Sequence, residues 1–290
     1  MWPPMTPTLF TELIGYLARH FTIVSLEQYL DYPAGLASRK RIATVQFDDG
    51  YKDNIEHAAP ILKKFNCPAS FYIVTDCIDR NIPTWTYIVD NIFQKTKKQR
   101  VELPAAFVQP GFRSFDMKVN GAPNPLLKDL KPWMKKLPNA QRLAITQSLI
   151  EQCNDVPLPQ GKMMSWDDIR QLAADNFIIG SHSQTHPLLA SLKDESEISA
   201  ELKVSGKRIE EETGKFPLTI SYPNGSVDNR VMRISMNEGY KYGLAVEQRF
   251  FNTEKDNRFA IPRVELYQEP WWKIKMRVSG MYGRIKKFVS

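Results

Sequence analysis

The chain has 290 residues, of which 42% are hydrophobic and 24% charged, and it carries a net charge of +7. This is the composition of an ordinary soluble globular protein with length for a large core. It contains no apolar run near the roughly 20 residues that cross a bilayer. The opening MWPPMTPTLF lacks the basic and apolar regions of a secretory signal. Cys67, Cys77 and Cys153 are an odd set without metal-type spacing, which reads as reduced thiols in a cytoplasmic protein.

Residues 7–30 read as one helix and a shorter second one, with Ser25 and Gln28 as a capping pair. A strand (41–47), a helix (54–65), a strand (69–75) and a helix (85–95) follow. Residues 97–162 are rich in Lys, Pro and Asn and hold one clear helix near 139–153; they read as an insertion, and the chain as one domain. Alternation then resumes. A helix capped by Ser165 leads to a strand (177–181), and a long amphipathic helix ends at Gly214. Three further strands, LTISYP, YGLAVEQ and RFAIPRVEL, have a helix between the first two. Strands alternating with helices predict a parallel sheet covered on both faces, with function at the C-terminal strand ends.

Residues 270–288 read as a basic C-terminal helix, with Trp271, Ile274, Val278, Tyr282, Ile285 and Phe288 at helical spacing. Packing of that stripe on the domain is the preferred reading. The other is peripheral contact with anionic lipid at the inner membrane face. The basic balance matches no recognised nucleic-acid module, so nucleic acid is not an expected partner.

Three polar clusters follow strands directly: Asp48-Asp49-Gly50, Ser181 to His186, and Ser221 to Gly225. Successive side chains alternate in a regular strand, so both aspartates can face one pocket only where the chain turns, which Gly50 permits. Adjacent carboxylates need a cation or a shared proton; alternatively one of them caps the next helix. His182 and His186 stand at i and i+4, and one helical turn would aim both at one metal. Two histidines and one carboxylate leave coordination positions open, the pattern of a catalytic site for amide or ester hydrolysis. The alternative is a pair of structural histidines. Tyr72, Trp85 and Tyr87 are candidates to line a sugar site, Tyr72 more readily as a core residue.

FDDG at 47–50, HSQTH at 182–186 and YPNG at 222–225, in this order, resemble the polysaccharide deacetylases. These are the NodB-homology enzymes of carbohydrate esterase family four. The resemblance runs from about residue 41 to 266. It implies an α/β fold, a distorted (β/α)7 barrel, and removal of acetyl groups from N-acetylated amino sugars of a glycan. It also implies a divalent metal, zinc first, with water on the metal attacking the acetamide carbon. By the same resemblance Asp48 is the catalytic base, and Asp49, His182 and His186 are the metal ligands. The Asn224 backbone N–H holds the oxyanion. Apart from the resemblance, Tyr222 and Trp85 are the candidate substrate contacts.

Two departures stand out. The third-motif arginine is missing, and Arg263 in IPRVEL is expected to pair with Asp48 in its place. No histidine follows His186 to act as general acid, a loss worth on the order of 10²–10⁴ in rate. Arg263 or Glu265 fills part of that gap. These departures leave a second reading open, a catalytically weak or inactive glycan-binding barrel.

Overall fold

Thr6 opens the first helix by accepting the Leu9 N–H on its hydroxyl, with Pro7 in the first turn. This helix, α1 (Pro7–His20), turns into β1 (Thr22–Ile23) and then α2 (Leu26–Asp31), where Ser25 Oγ accepts the Gln28 N–H as expected. The structure, a computed structural model, describes residues 5–31, 41–104, 114–119, 122–123 and 126–280.

The expected strand over 41–47 is present in two parts, β2 (Ile42–Ala43) and β3 (Val45–Phe47). A π-helical turn (Asn54–Ala58) leads into α3 (Ala59–Lys64), then come β4 (Ala69–Ile73), α4 (Thr75–Arg80) and α5 (Trp85–Lys95). The insertion contains two antiparallel strand pairs, β5 (Arg100–Glu102) with β6 (Ser114–Asp116), and β7 (Lys118–Val119) with β8 (Ala122–Pro123). It also contains α6 (Leu126–Met134) and α7 (Asn139–Gln152). With α5 these form a separate apolar cluster around Ile88, Val89, Ile92, Leu130, Met134, Ile145 and Leu149. The chain resumes with α8 (Trp166–Ala174), β9 (Ile178–Ser181), α9 (Glu195–Thr213), β10 (Thr219–Ser221), α10 (Asn229–Asn237), β11 (Tyr242–Leu244) and α11 (Trp271–Val278).

Five strands form one parallel sheet in the order β11-β10-β9-β4-β3. The sheet continues at both ends. Leu244 bridges Ile261 in parallel, and β2, one residue before β3, pairs with β1 in parallel. The result is a distorted NodB-type barrel. The last strand, expected over RFAIPRVEL, is reduced to the Ile261 bridge among the described residues.

Alternation sets which side chains reach the barrel interior. Val45, Phe47, Phe71, Ile73 and Ile179 face outward, into the core formed with α1, α3, α8 and α9. Tyr72, Tyr242, Leu244 and Ile261 face inward and pack on Leu26, so α2 fills the interior. Asp48, His182 and Ser221 lie on the inward register of their strands.

The C-terminal helix is shorter than expected. It stops at Val278, and Gly280 follows with φ 77°. Residues 281–290 lie outside the described residues. Ile274 is buried, and the Trp271 ring stands edge-on to Tyr16 of α1 at 5.5 Å, which is the packing reading. No helix among the described residues is long and apolar enough to cross a membrane. The three cysteines are free and buried.

Candidate active site

The ends of β3, β9 and β10 bring Asp48, Asp49, His182 and Ser221 together. Asp48 faces inward, as alternation from the outward Phe47 requires. Asp49 would then point outward, but its φ of 73° and that of Gly50, 87°, turn the chain so that both carboxylates face the pocket. The helix-cap alternative does not hold, because the turn that follows starts after Asp53 and has no side-chain cap.

The two histidines converge without the helical turn that their spacing predicts. Residues 182–186 are a loop in which Ser183 and His186 both adopt positive φ, 66° and 60°. The loop is held from several sides. His182 N–H donates to the Ile73 carbonyl at 2.8 Å, and His186 N–H to Ser183 Oγ at 3.1 Å. Glu201 on α9 accepts the Thr185 N–H at 2.8 Å and the Thr185 hydroxyl at 2.5 Å. Such strained backbone persists only where neighbours fix it.

His182 Nε2 and His186 Nε2 each lie 3.4 Å from the same oxygen, Asp49 Oδ1. Ligands about 2.1 Å from a tetrahedral ion stand roughly 3.4 Å apart, so both Asp49–histidine distances match those of ligands around one divalent cation. The ligand atoms of all three residues lie within 4.8 Å of one another. His182 Nδ1–H donates to the Ser221 carbonyl at 2.6 Å, which leaves the Nε2 lone pair facing Asp49. Burial, opposed by Asp49 but reinforced by His182 and Arg142, pushes His186 down to about 4, the neutral form that offers a lone pair. Burial works against ionisation of Asp49, yet the imidazoles of His182 and His186 beside it hold its carboxyl below the usual range.

Asp48 is held by a fork. Arg263 Nη1 donates to Oδ1 at 2.9 Å and Nη2 to Oδ2 at 2.7 Å. Ser221 Oγ donates to Oδ1 at 3.1 Å, and Arg263 also reaches Ser221 Oγ and the Ala245 carbonyl. Burial would raise the Asp48 carboxyl, but Arg263, His182 and these hydrogen bonds hold it far below the carboxylate range. The pairing expected for Arg263 is therefore present. Glu265, the other residue considered for the gap, is held by the Tyr267 hydroxyl at 2.6 Å and Gln248 Nε2 at 3.0 Å.

Asn224 sits exposed in the turn after β10 at φ 54°, and its backbone N–H has no protein acceptor among the described residues. Two substrate expectations are overturned. Tyr222 is fully buried and points outward, its hydroxyl donating to Ser235 of α10, because it follows the inward Ser221 in alternation. Trp85 is 6% exposed and its ring is covered by Arg142 at 5.3 Å, so no sugar face can stack on it. Tyr72 is in the core. Tyr87 is half-buried beside Tyr51, whose ring centroid lies 5.8 Å away. Tyr51 and Ser221 were missed as site residues, although both stand within or next to the quoted motifs. Arg142 was missed because it lies in the insertion, far from any motif.

The family model for polysaccharide deacetylases matches residues 36–106 and 115–243. No curated protein matches the sequence. Among solved structures, the fold is similar to a de-N-acetylase from Aggregatibacter actinomycetemcomitans. The TM-score is 0.62 at 18% identity, covering 96% of this chain and 92% of that one. It is also similar to the Streptococcus pyogenes deacetylase PplD (TM-score 0.61, 13% identity, 96% and 86% covered). A third is IcaB from Ammonifex degensii (TM-score 0.59, 15% identity, 94% and 89% covered). With its motifs gathered at the strand ends and the family model spanning most of the barrel, the chain belongs to the polysaccharide deacetylase family.

Proposed function

We propose that this protein is a metal-dependent hydrolase that removes acetyl groups from N-acetylated amino sugars of a glycan. The observation that carries the reading is the convergence of Asp49, His182 and His186 beside the Asp48–Arg263 pair. A divalent cation in that triad, zinc first, would act as a Lewis acid on the acetamide oxygen and lower the pKa of a water. Ionised Asp48 takes the proton of the attacking water, and Arg263 and Ser221 hold the carboxylate in place. Because Arg263 makes Asp48 a weak base, the transfer requires a water that is already acidified. The Asn224 N–H donates to the developing oxyanion. Once protonated, Asp48 is the group placed to return the proton to the leaving amine.

The test is acetate release from N-acetylglucosamine oligomers, alongside metal content by elemental analysis. Asp48→Asn is expected to lower turnover at least about 10²-fold with the metal retained. His182→Ala is expected to lose both metal and turnover. Full activity in Asp48→Asn would remove the role given to that carboxylate.

A second reading, a glycan-binding barrel with little or no catalysis, is favoured by the tight Arg263 fork and the missing late histidine. Metal and oligosaccharide binding without acetate release would select it. We place the protein in the cytoplasm, with the basic C-terminal segment as the part that would meet the inner membrane face.

A further inference from the structure

Arg142 is 1% exposed, yet two of its guanidinium nitrogens, Nε and Nη1, have no hydrogen-bond partner among the described residues. Among the described residues its one side-chain bond is from Nη2 to Asn139 Oδ1, one turn earlier on α7. Trp85, whose ring Arg142 covers, is also buried with its Nε1–H unpartnered. The Arg142 charge reaches His186, and the His186 Nδ1 is a fourth buried atom without a partner. If Nε2 faces Asp49, this Nδ1 carries a hydrogen. Every orphaned atom in this cluster is then a donor, and none is an acceptor.

No carboxylate closes the account. Glu201 is the acid whose charge Arg142 feels, but both its oxygens accept from Thr185 and it makes no ion pair with Arg142. Burial pushes the guanidinium down to about 10, still cationic at neutral pH. A buried cation with free donors is costly unless an anion or other acceptor meets it. Nε and Nη1 stand on different edges of the guanidinium, and each can donate one charge-assisted hydrogen bond to an anion oxygen.

We propose that Arg142 and Trp85 form an anion subsite between the insertion and the metal triad, and that it takes a carboxylate group. The choice of carboxylate rests on the deacetylase reading, which supplies two sources. One is the acetate released at the triad, and the other is an acidic group on the sugar being deacetylated. The anion chemistry itself rests on the two side chains and needs no turnover.

The test uses the full-length protein stripped of metal, so that a bound cation cannot hold the anion. The Trp85 indole N–H resonance, assigned by its loss in Trp85→Phe, is followed in ¹H–¹⁵N spectra during titration with sodium acetate at constant ionic strength. N-acetylmuramic acid is titrated in parallel with N-acetylglucosamine. A saturable shift with acetate identifies the released product as occupant. A shift with N-acetylmuramic acid, but not with acetate or the neutral sugar, identifies a substrate carboxylate. In either case Arg142→Met should weaken binding at least about tenfold, and Arg142→Lys should recover part of it. Trp85→Phe, which keeps an aromatic ring and loses the N–H, should weaken acetate binding severalfold by calorimetry while the protein stays folded. No saturable shift with either acid, or equal binding in Arg142→Met, overturns the proposal. Failure of the deacetylase reading would show separately, as absent acetate release with the anion site intact.

Discussion

Arg263 shows how a motif can be rebuilt from another part of the chain. It arrives from residue 263, next to the Ile261 bridge at the barrel's end, and meets Asp48 through two hydrogen bonds. Its replacement by methionine would leave Asp48 partly buried with only Ser221 as a partner. Breaking a sealed ion pair costs about 3–5 kcal/mol. Asp48 keeps 30% of its side-chain surface, so solvent screening brings the expected loss nearer about 2 kcal/mol. Urea denaturation of Arg263→Met against the parent protein measures it, and acetate release should fall in parallel because the carboxylate loses its orientation. Arg263→Lys should recover little, since an ammonium cannot reproduce the fork. The pairing was legible in the sequence because only one arginine stands near the last strand end. The convergence of the histidines was legible from their types and spacing, but the means was not. Positive φ at Ser183 and His186 depends on bonds to Glu201 and Ile73, which are distant in sequence.

The turn carrying Asn224 and the helix α11 make two further expectations. Gly225 has φ 68°, and a Cβ there would lie 2.5 Å from the Val246 nitrogen. Gly225→Ala therefore combines left-handed strain with a backbone clash. It should cost about 1–3 kcal/mol in thermal or chemical unfolding and lower turnover by displacing the Asn224 N–H. At α11, Glu269 accepts from Arg277 Nε at 2.7 Å and Nη2 at 3.0 Å and from Lys273 Nζ at 2.7 Å. The hydrogen bond from Arg277, with that from Lys273, lowers its carboxyl from 4.5 to about 2. A folded-state value below the unfolded one means stability that is present above about pH 4.5 and lost as pH falls toward 2. Glu269→Gln should lower Tm by roughly 2–4 °C at neutral pH. The two proteins should converge as pH falls through that window. A constant difference down to pH 2 would mean that the carboxylate contributes through packing alone.

The barrel joins these parts. Strand–helix alternation, the caps at Ser25 and Ser165, the end of α9 at Gly214 and the helix over 85–95 could all be read from local sequence, because each depends on neighbours within a turn or two. So could the chemistry of the site, since Asp-Asp-Gly and His-x-x-x-His carry their meaning in residue type. Other features could not be read that way. β1, two residues long, is a strand only because Ile42–Ala43 lies alongside it. Tyr222 and Ser221 take opposite faces, and only the sheet says which face is the pocket. Trp85 looks like a sugar platform until Arg142, 57 positions away, covers it. Residue types and short-range patterns decided the family, the motifs and most elements, because hydrophobic period and capping are local forces. Side-chain direction, strained loop geometry and the buried Arg142 were decided by long-range packing, where the energy of a position depends on what the rest of the chain brings to it.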